Sequence, residues 1–244
     1  MKIPTARRVR TGAVLAAASA AVLAAGGCQS GGAAQHSAGP KAASAPAAPA
    51  GANVLKGSTL KSLLLPAGAM PKGFRLIPDI TRDTGDDGSG ASTPIPAAEI
   101  CDALGQTSWI RVAGIASATF AQNGYGNAAQ TDEIAQEIDT FRGDDAQRVM
   151  AKLRKVFAHC ATFTDKSASP VAKIKLKTAT VHGAGDQAMK AVETSPTWQG
   201  GTTLAAVRVG NAIVTMLVSS SHADKGAAAV TLAERVAKKV KAAG

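Results

Sequence analysis

Two apolar runs, Thr203 to Val209 and Ala212 to Ser219, stand on either side of the dipeptide Gly210-Asn211. Strand-length runs joined by two residues of this kind form an antiparallel hairpin, because both turn positions accept positive φ. The hairpin fixes the character of the last third of the chain. Upstream of it, Lys173-Ile174-Lys175-Leu176-Lys177 alternates strictly, so one face is buried and the lysines face water. Gly183 to Asp186 is a turn before a strand near Ala188 to Glu193.

The middle of the chain adds two strands and a helix. Ala116 to Ala121 and Ile134 to Phe141 read as strands, with Asn123-Gly124-Tyr125-Gly126-Asn127 as the turn between them. Gly143-Asp144-Asp145 introduces a helix, its aspartates suited to the positive N-terminal end. Val149, Leu153, Val156 and Cys160 fall on one stripe of that helix, with Met150 and Phe157 alongside. Short helices are expected over Ser58 to Leu65 and Pro96 to Leu104, and Asp224 opens a C-terminal helix with Val230, Ala233, Ala237 and Val240 as its apolar stripe. Helices interspersed with adjacent strands predict an α+β fold: a largely antiparallel sheet packed with helices, in a single domain ending in a helix.

The N-terminal end is read differently. A basic start (Lys2, Arg7, Arg8, Arg10) and an apolar run from Ala13 to Ala25 have the order of an export signal. The run Val22-Leu23-Ala24-Ala25-Gly26-Gly27 ends at Cys28, where a lipoprotein signal ends. Residues 1–27 are therefore expected to be a lipoprotein signal peptide, with lipid carried on Cys28. The alternative is plain secretion with cleavage near Ala25 or Ala34. The Arg7-Arg8 pair leaves the export route open between the general and twin-arginine pathways. Residues 28–57, mostly Ala, Gly, Pro and Ser, bury too little to order themselves and read as a tether. The folded domain is expected over 58–244. Its predicted location is the outer face of the cell membrane.

The formal charge is +10. Four basic residues precede Cys28, so the mature chain carries 23 basic against 17 acidic residues, a net +6. Arg235, Lys238, Lys239 and Lys241 cluster near the end and read as a solvated helix face. With one Tyr and two Trp there is little to stack on bases, and no nucleic-acid motif is present. With Cys28 modified, Cys101 and Cys160 remain as one pair, which outside the cytoplasm tends to be oxidised. The alternative is two buried free thiols.

Little in the chain signals chemistry. Cysteines and His36, His159, His182 and His222 are scattered, so no metal site or cofactor is expected. Asp83, Asp86 and Asp87 sit among glycines without calcium-loop spacing. Ser219-Ser220-Ser221-His222 places serines beside a histidine, but a triad is spatial rather than sequential. Glu133, Glu137 and Asp139 read as solvated strand or turn residues, and Asp186 as a turn residue bonding backbone. The aromatics Tyr125, Trp198 and Trp109 are the candidates for ligand or partner contact, against the alternative that they pack on the sheet.

A resemblance joins these signals. Leu64-Leu65 followed by Met70-Pro71-Lys72-Gly73-Phe74 resembles the opening of actinobacterial sensor-domain lipoproteins. Cys101, the strand–helix run Ile138 to Cys160, the Gly185-Asp186 turn and the hairpin at Gly210-Asn211 follow the order of PknH-like extracellular domains, over residues 60 to 242. The resemblance implies an α+β sensor or ligand-binding domain with a cleft, of the kind found on receptor kinases and free lipoproteins. The chain departs in having one cysteine pair where kinase-linked members have two. The functional expectation is a non-enzymatic, lipid-anchored domain that binds a small molecule, a cell-wall component or a membrane protein, and no nucleic acid. The alternatives are a lipid or glycolipid carrier with an apolar cavity, and an exported enzyme.

Overall fold

The computed structural model describes residues 54–86, 94–166, 171–222 and 224–244. Cys28, the signal-like segment and most of the tether lie outside the described residues. So does Asp87.

Nine strands form one antiparallel sheet. In chain order they are β1 (Arg75–Leu76), β2 (Arg82–Asp83), β3 (Thr119–Gly126), β4 (Glu133–Thr140), β5 (Thr162–Asp165), β6 (Ala172–Thr180), β7 (Gln187–Thr194), β8 (Gly201–Val209) and β9 (Ala212–Ser220). The spatial order is β1-β3-β4-β9-β8-β7-β6-β5, with β2 also paired to β3. Four α-helices accompany it: α1 (Gly57–Leu63), α2 (Ile100–Ala103), α3 (Asp145–His159) and α4 (Ala227–Ala243). After β4 the chain crosses through α3 to β5, then winds back strand by strand until β9 closes on β4. The fold is α+β, as the patterning implies. No helix among the described residues is long and apolar enough to cross a membrane.

The sheet is covered on both sides. One core joins α1 and α4 to Ile134, Ile138, Ala205, Val207, Val214 and Met216. The other joins α3 and the single-turn helix Trp109–Ala113 to Ala135, Leu204, Ala206, Ile213 and Leu217. Alternate residues of β4, β8 and β9 thus enter opposite cores, which is why these central strands are buried almost throughout. The α3 stripe behaves as its spacing requires: Val149, Met150, Leu153, Phe157 and Cys160 are buried. The hairpin forms at the expected dipeptide, with Val209 opposite Ala212 and Gly210 at φ 58°. In β6, Ala172, Ile174 and Leu176 are buried while Lys173, Lys175 and Lys177 are exposed.

Four local expectations are corrected. The Asn123–Asn127 segment is not a turn: β3 runs through Tyr125 to Gly126, and the turn follows at Asn127 to Gln130. Gly124 is there for close approach, since a Cβ would lie 2.2 Å from the Cδ1 of buried Ile80. The α4 stripe is rotated to Ala229, Leu232, Ala233, Val236, Ala237 and Val240, with Val230 only half buried. Its basic residues are not all solvated. Lys239 donates to the carbonyls of Ser62 (3.2 Å) and Leu64 (3.1 Å), and Arg235 to that of Ala69 (3.3 Å). These cations satisfy the chain leaving α1, where helix carbonyls lack partners. Finally, the folded part begins before residue 58. Leu55 packs on the α4-side core, and its carbonyl accepts a hydrogen bond from Thr119 Oγ1 at 2.6 Å.

Asp224 opens the C-terminal helix as its residue type suggests. Its carboxylate accepts from the N–H groups of Gly226 (2.7 Å) and Ala228 (2.8 Å).

Candidate functional site

The disulfide joins Cys101 of α2 to Cys160 at the C-terminal end of α3. It straps the segment that follows α2 across the α3-side face of the sheet. Within that segment Ser108 adopts φ 57°, a conformation uncommon for a residue with a side chain. Its hydroxyl accepts from Arg82 Nη2 (3.1 Å) and donates to Gln122 Oε1, while Gln122 Nε2 donates to the carbonyl of Ile80 (2.8 Å). One polar network therefore fixes β2, β3 and the crossing segment to one another.

Beneath the segment lies a small recess at the centre of the sheet. Thr107, Ser108 and Trp109 form its outer wall, and Gln122, Glu137 and Thr215 line its base. These three base residues sit side by side on β3, β4 and β9, because Gln122 and Thr215 are the register partners of Glu137. The enclosed space is about 10 Å³, room for about one water molecule. Drug-sized pockets run to ~300–1,000 Å³.

Glu137 at its base and Asp139 beside it are groups whose sequence setting predicts solvent exposure. Glu137 and Asp139 are 5% and 3% exposed, and they lie two residues apart on the α3-facing side of β4. Burial pushes the Glu137 carboxyl from its ordinary 4.5 up to about 7, partly offset by Ser108 and by the nearby charges of Arg82 and Arg111. Burial also pushes Asp139 well above the usual carboxylate range, and the neighbouring Glu137 charge adds to that. Glu137 Oε2, Asp139 Oδ2 and the Trp109 indole nitrogen are buried without a hydrogen-bond partner. Buried polar groups are nearly always paired. A donor and an acceptor left over on residues lining the same small recess thus mark it out. The pairing is carried by long-range packing, so the only hint in the sequence is that Glu137 and Asp139 stand two residues apart, on one face of β4.

The three sequence-nominated aromatics are not brought together. Trp109 is 2% exposed and packs on Phe157, with ring centroids 5.8 Å apart, in the α3-side core. Tyr125 is 3% exposed in the opposite core. Neither ring is exposed at the surface. Tyr125 is instead a latch: its hydroxyl donates to the Leu65 carbonyl at 2.9 Å, beside Gln136, which bonds both the N–H and the carbonyl of Leu65. Tyr125→Phe is expected to cost about 1 kcal/mol, since Gln136 still satisfies Leu65. Urea denaturation of the variant measures it. Trp198 lies in the β7–β8 connection and is half buried, so part of its ring remains accessible.

The other candidates resolve locally. Asp132 accepts from the N–H (2.7 Å) and hydroxyl (3.2 Å) of Ser221, while Ser221 Oγ stands 3.1 Å from His222 Nδ1. The carboxylate orients the serine and not the histidine, so the three do not have the order of a catalytic triad. Burial raises the Asp132 carboxyl, but hydrogen bonds from Ser221 and its neighbours bring it below the usual range. Asp83 pairs with Lys61 at 3.0 Å and Asp86 with Lys56 at 3.6 Å. No group of three metal-binding side chains occurs among the described residues. Asp186 accepts from the Gly210 N–H at 2.8 Å and pairs with Arg208 at 3.2 Å, clipping one turn to another.

Comparison with known proteins is sparse. No family model matches the chain, and no curated protein matches it. Among solved structures it superposes on the extracellular domain of PknH from Mycobacterium tuberculosis, with a TM-score of 0.58 and 15% sequence identity. The superposition covers 79% of this chain and 100% of that one. The fold is that of the PknH extracellular domain. At this identity the likeness is one of fold, and the residues of the recess are argued on their own chemistry.

Proposed function

We propose that this protein is a non-catalytic, sensor-like domain held at the outer face of a membrane by lipid on Cys28, and that it binds a small polar molecule in the recess beneath Trp109. The observation that carries the ligand is the pair of unsatisfied buried atoms on its walls, the Trp109 indole N–H and one oxygen, Oε2, of the Glu137 carboxyl. A single amide or hydroxyl group at the end of a ligand, entering from the mouth in place of one water, satisfies both. The likeness to an extracellular domain and the export-type order of residues 1–28 support the location. The carrier reading is disfavoured by the size of the recess and the polar groups around it. Trp109 keeps its role as a contact residue in this proposal through its N–H rather than its ring face. Trp198 is a secondary contact on the half-exposed β7–β8 connection.

The chain has only two tryptophans, so its indole N–H signals form a two-peak NMR probe. Titration with acetamide, glycinamide and glycerol is expected to move the Trp109 peak, and Glu137→Gln to weaken that response. A Trp109 peak unmoved by all three, together with no retained small molecule in native mass spectrometry, overturns the ligand site. The anchor is tested separately. Cys28→Ser is expected to abolish acyl labelling and release the protein from membranes; membrane retention without label sinks it.

A further inference from the structure

We propose that the open corner of the sheet on the α4 side, carrying Lys173, Lys175 and Lys177, docks onto an anionic lipid bilayer. α4 packs over β8 and β9. The core beneath it reaches Ala188 on β7 and contains no side chain of β5 or β6. Leu176 enters the α3-side core, so the alternating lysines of β6 emerge on the α4 side, beyond the helix that covers its neighbours. The three are spaced by roughly 6.7 Å along the strand. Their register partners are Thr162 and Thr164 on β5, and Thr194 and Val192 on β7, none of them acidic. Among the described residues, none of the three lysines makes an ion pair.

A solvated face explains lysines on an edge strand, and that account needs no partner. A further observation favours a bilayer. Val171 continues the same alternation two residues before Lys173 and is 57% exposed, one of the two large apolar side chains so exposed among the described residues. An apolar residue at the end of a lysine row suits an interface in which charge meets headgroups and the apolar tip enters below them. The outer surface of α3 carries Lys152, Arg154 and Lys155, equally exposed, but on the opposite side. It is the internal control.

The inference takes its location from the membrane-side reading above, but its test does not need the anchor. The full chain with Cys28→Ser, unlipidated, is sedimented with vesicles of phosphatidylcholine alone or mixed with phosphatidylglycerol. Binding is expected only to the anionic vesicles and to weaken with salt. At roughly fivefold per lysine neutralised, K173E/K175E/K177E, which reverses three charges, is expected to lose at least about 100-fold in binding. K152E/R154E/K155E, with the same change in charge, is expected to lose far less. If the glutamate variant fails to fold, Lys→Gln at the same three positions replaces it. Equal losses in the two triple variants, no binding to anionic vesicles, or tighter capture of soluble polyglutamate than of vesicles each overturns the proposal. Failure of acyl labelling at Cys28 removes the anchor and leaves this result standing.

Discussion

Removing the Cys101–Cys160 bridge is expected to lower stability by about 4 kcal/mol, the chain-entropy value for a loop of this length. The bridge closes 59 residues of sequence separation, spanning the crossing segment, β3, β4 and all of α3. In the unfolded chain that closure removes a large set of conformations. In the folded chain Cys160 is fully buried and Cys101 half buried, so replacing both by alanine leaves the surrounding helices their other contacts. At about 2–4 °C per kcal/mol for a domain of this size, the melting temperature falls by about 8–16 °C. Guanidinium denaturation of the double alanine variant against the oxidised parent measures the loss directly. An unchanged midpoint, with the parent proven oxidised by peptide mapping, refutes the stabilisation; two alkylatable thiols in the native parent refute the bridge itself. The loss also has a local signature. The bridge straps the segment carrying Ser108 and Trp109 over the recess, so hydrogen exchange is expected to rise there before it rises in β8 and β9.

The contrast between what the residues announced and what they hid follows from the range of the interactions. The hairpin at Gly210-Asn211, the lysine alternation of β6 and the α3 stripe depend on neighbours two to four residues away, and all three are found where the pattern puts them. β5 has only four residues and no alternation, and its place at the sheet edge is set by pairing with β6, so it left no signal. Gly124 looked like turn punctuation, yet its smallness serves Ile80, 44 residues away in sequence. The α4 stripe was misplaced because an alanine-rich helix has a weak amphipathic contrast, and the sheet beneath decides which alanines are buried. Glu137 and Asp139 are the deepest case. A carboxylate in an alternating strand reads as water-facing unless both faces of that strand are covered. Only the crossing of α3 and the disulfide-strapped segment covers the second face of β4.

That buried carboxyl pair is expected to make the protein more stable in mild acid than in mild base. The folded-state affinity of Glu137 for its proton is raised, from an ordinary 4.5 to about 7, by burial. Between those two values the folded chain holds a proton that the unfolded chain has released. Stability therefore falls as pH rises through this window. The contribution is complete below about 4.5 and lost above about 7. Asp139, raised by burial and by its neighbour's charge, acts in the same direction. The depressed carboxyls Asp83 and Asp132 act in the opposite direction, but their contribution is lost only as pH falls below their ordinary 3.8. Urea denaturation at pH 5 and pH 8 is expected to give a higher midpoint at pH 5. Glu137→Gln, which keeps the shape and cannot ionise, is expected to flatten much of that difference by raising stability at pH 8. A midpoint that is constant or rises from pH 5 to pH 8, unaffected by the substitution, rules out a buried titrating Glu137. The same substitution links stability to the recess. If Glu137 is the ligand's acceptor, the response of the Trp109 indole to glycinamide strengthens as the carboxyl ionises between pH 5 and pH 8, in the range where the unliganded fold is losing stability to that same charge.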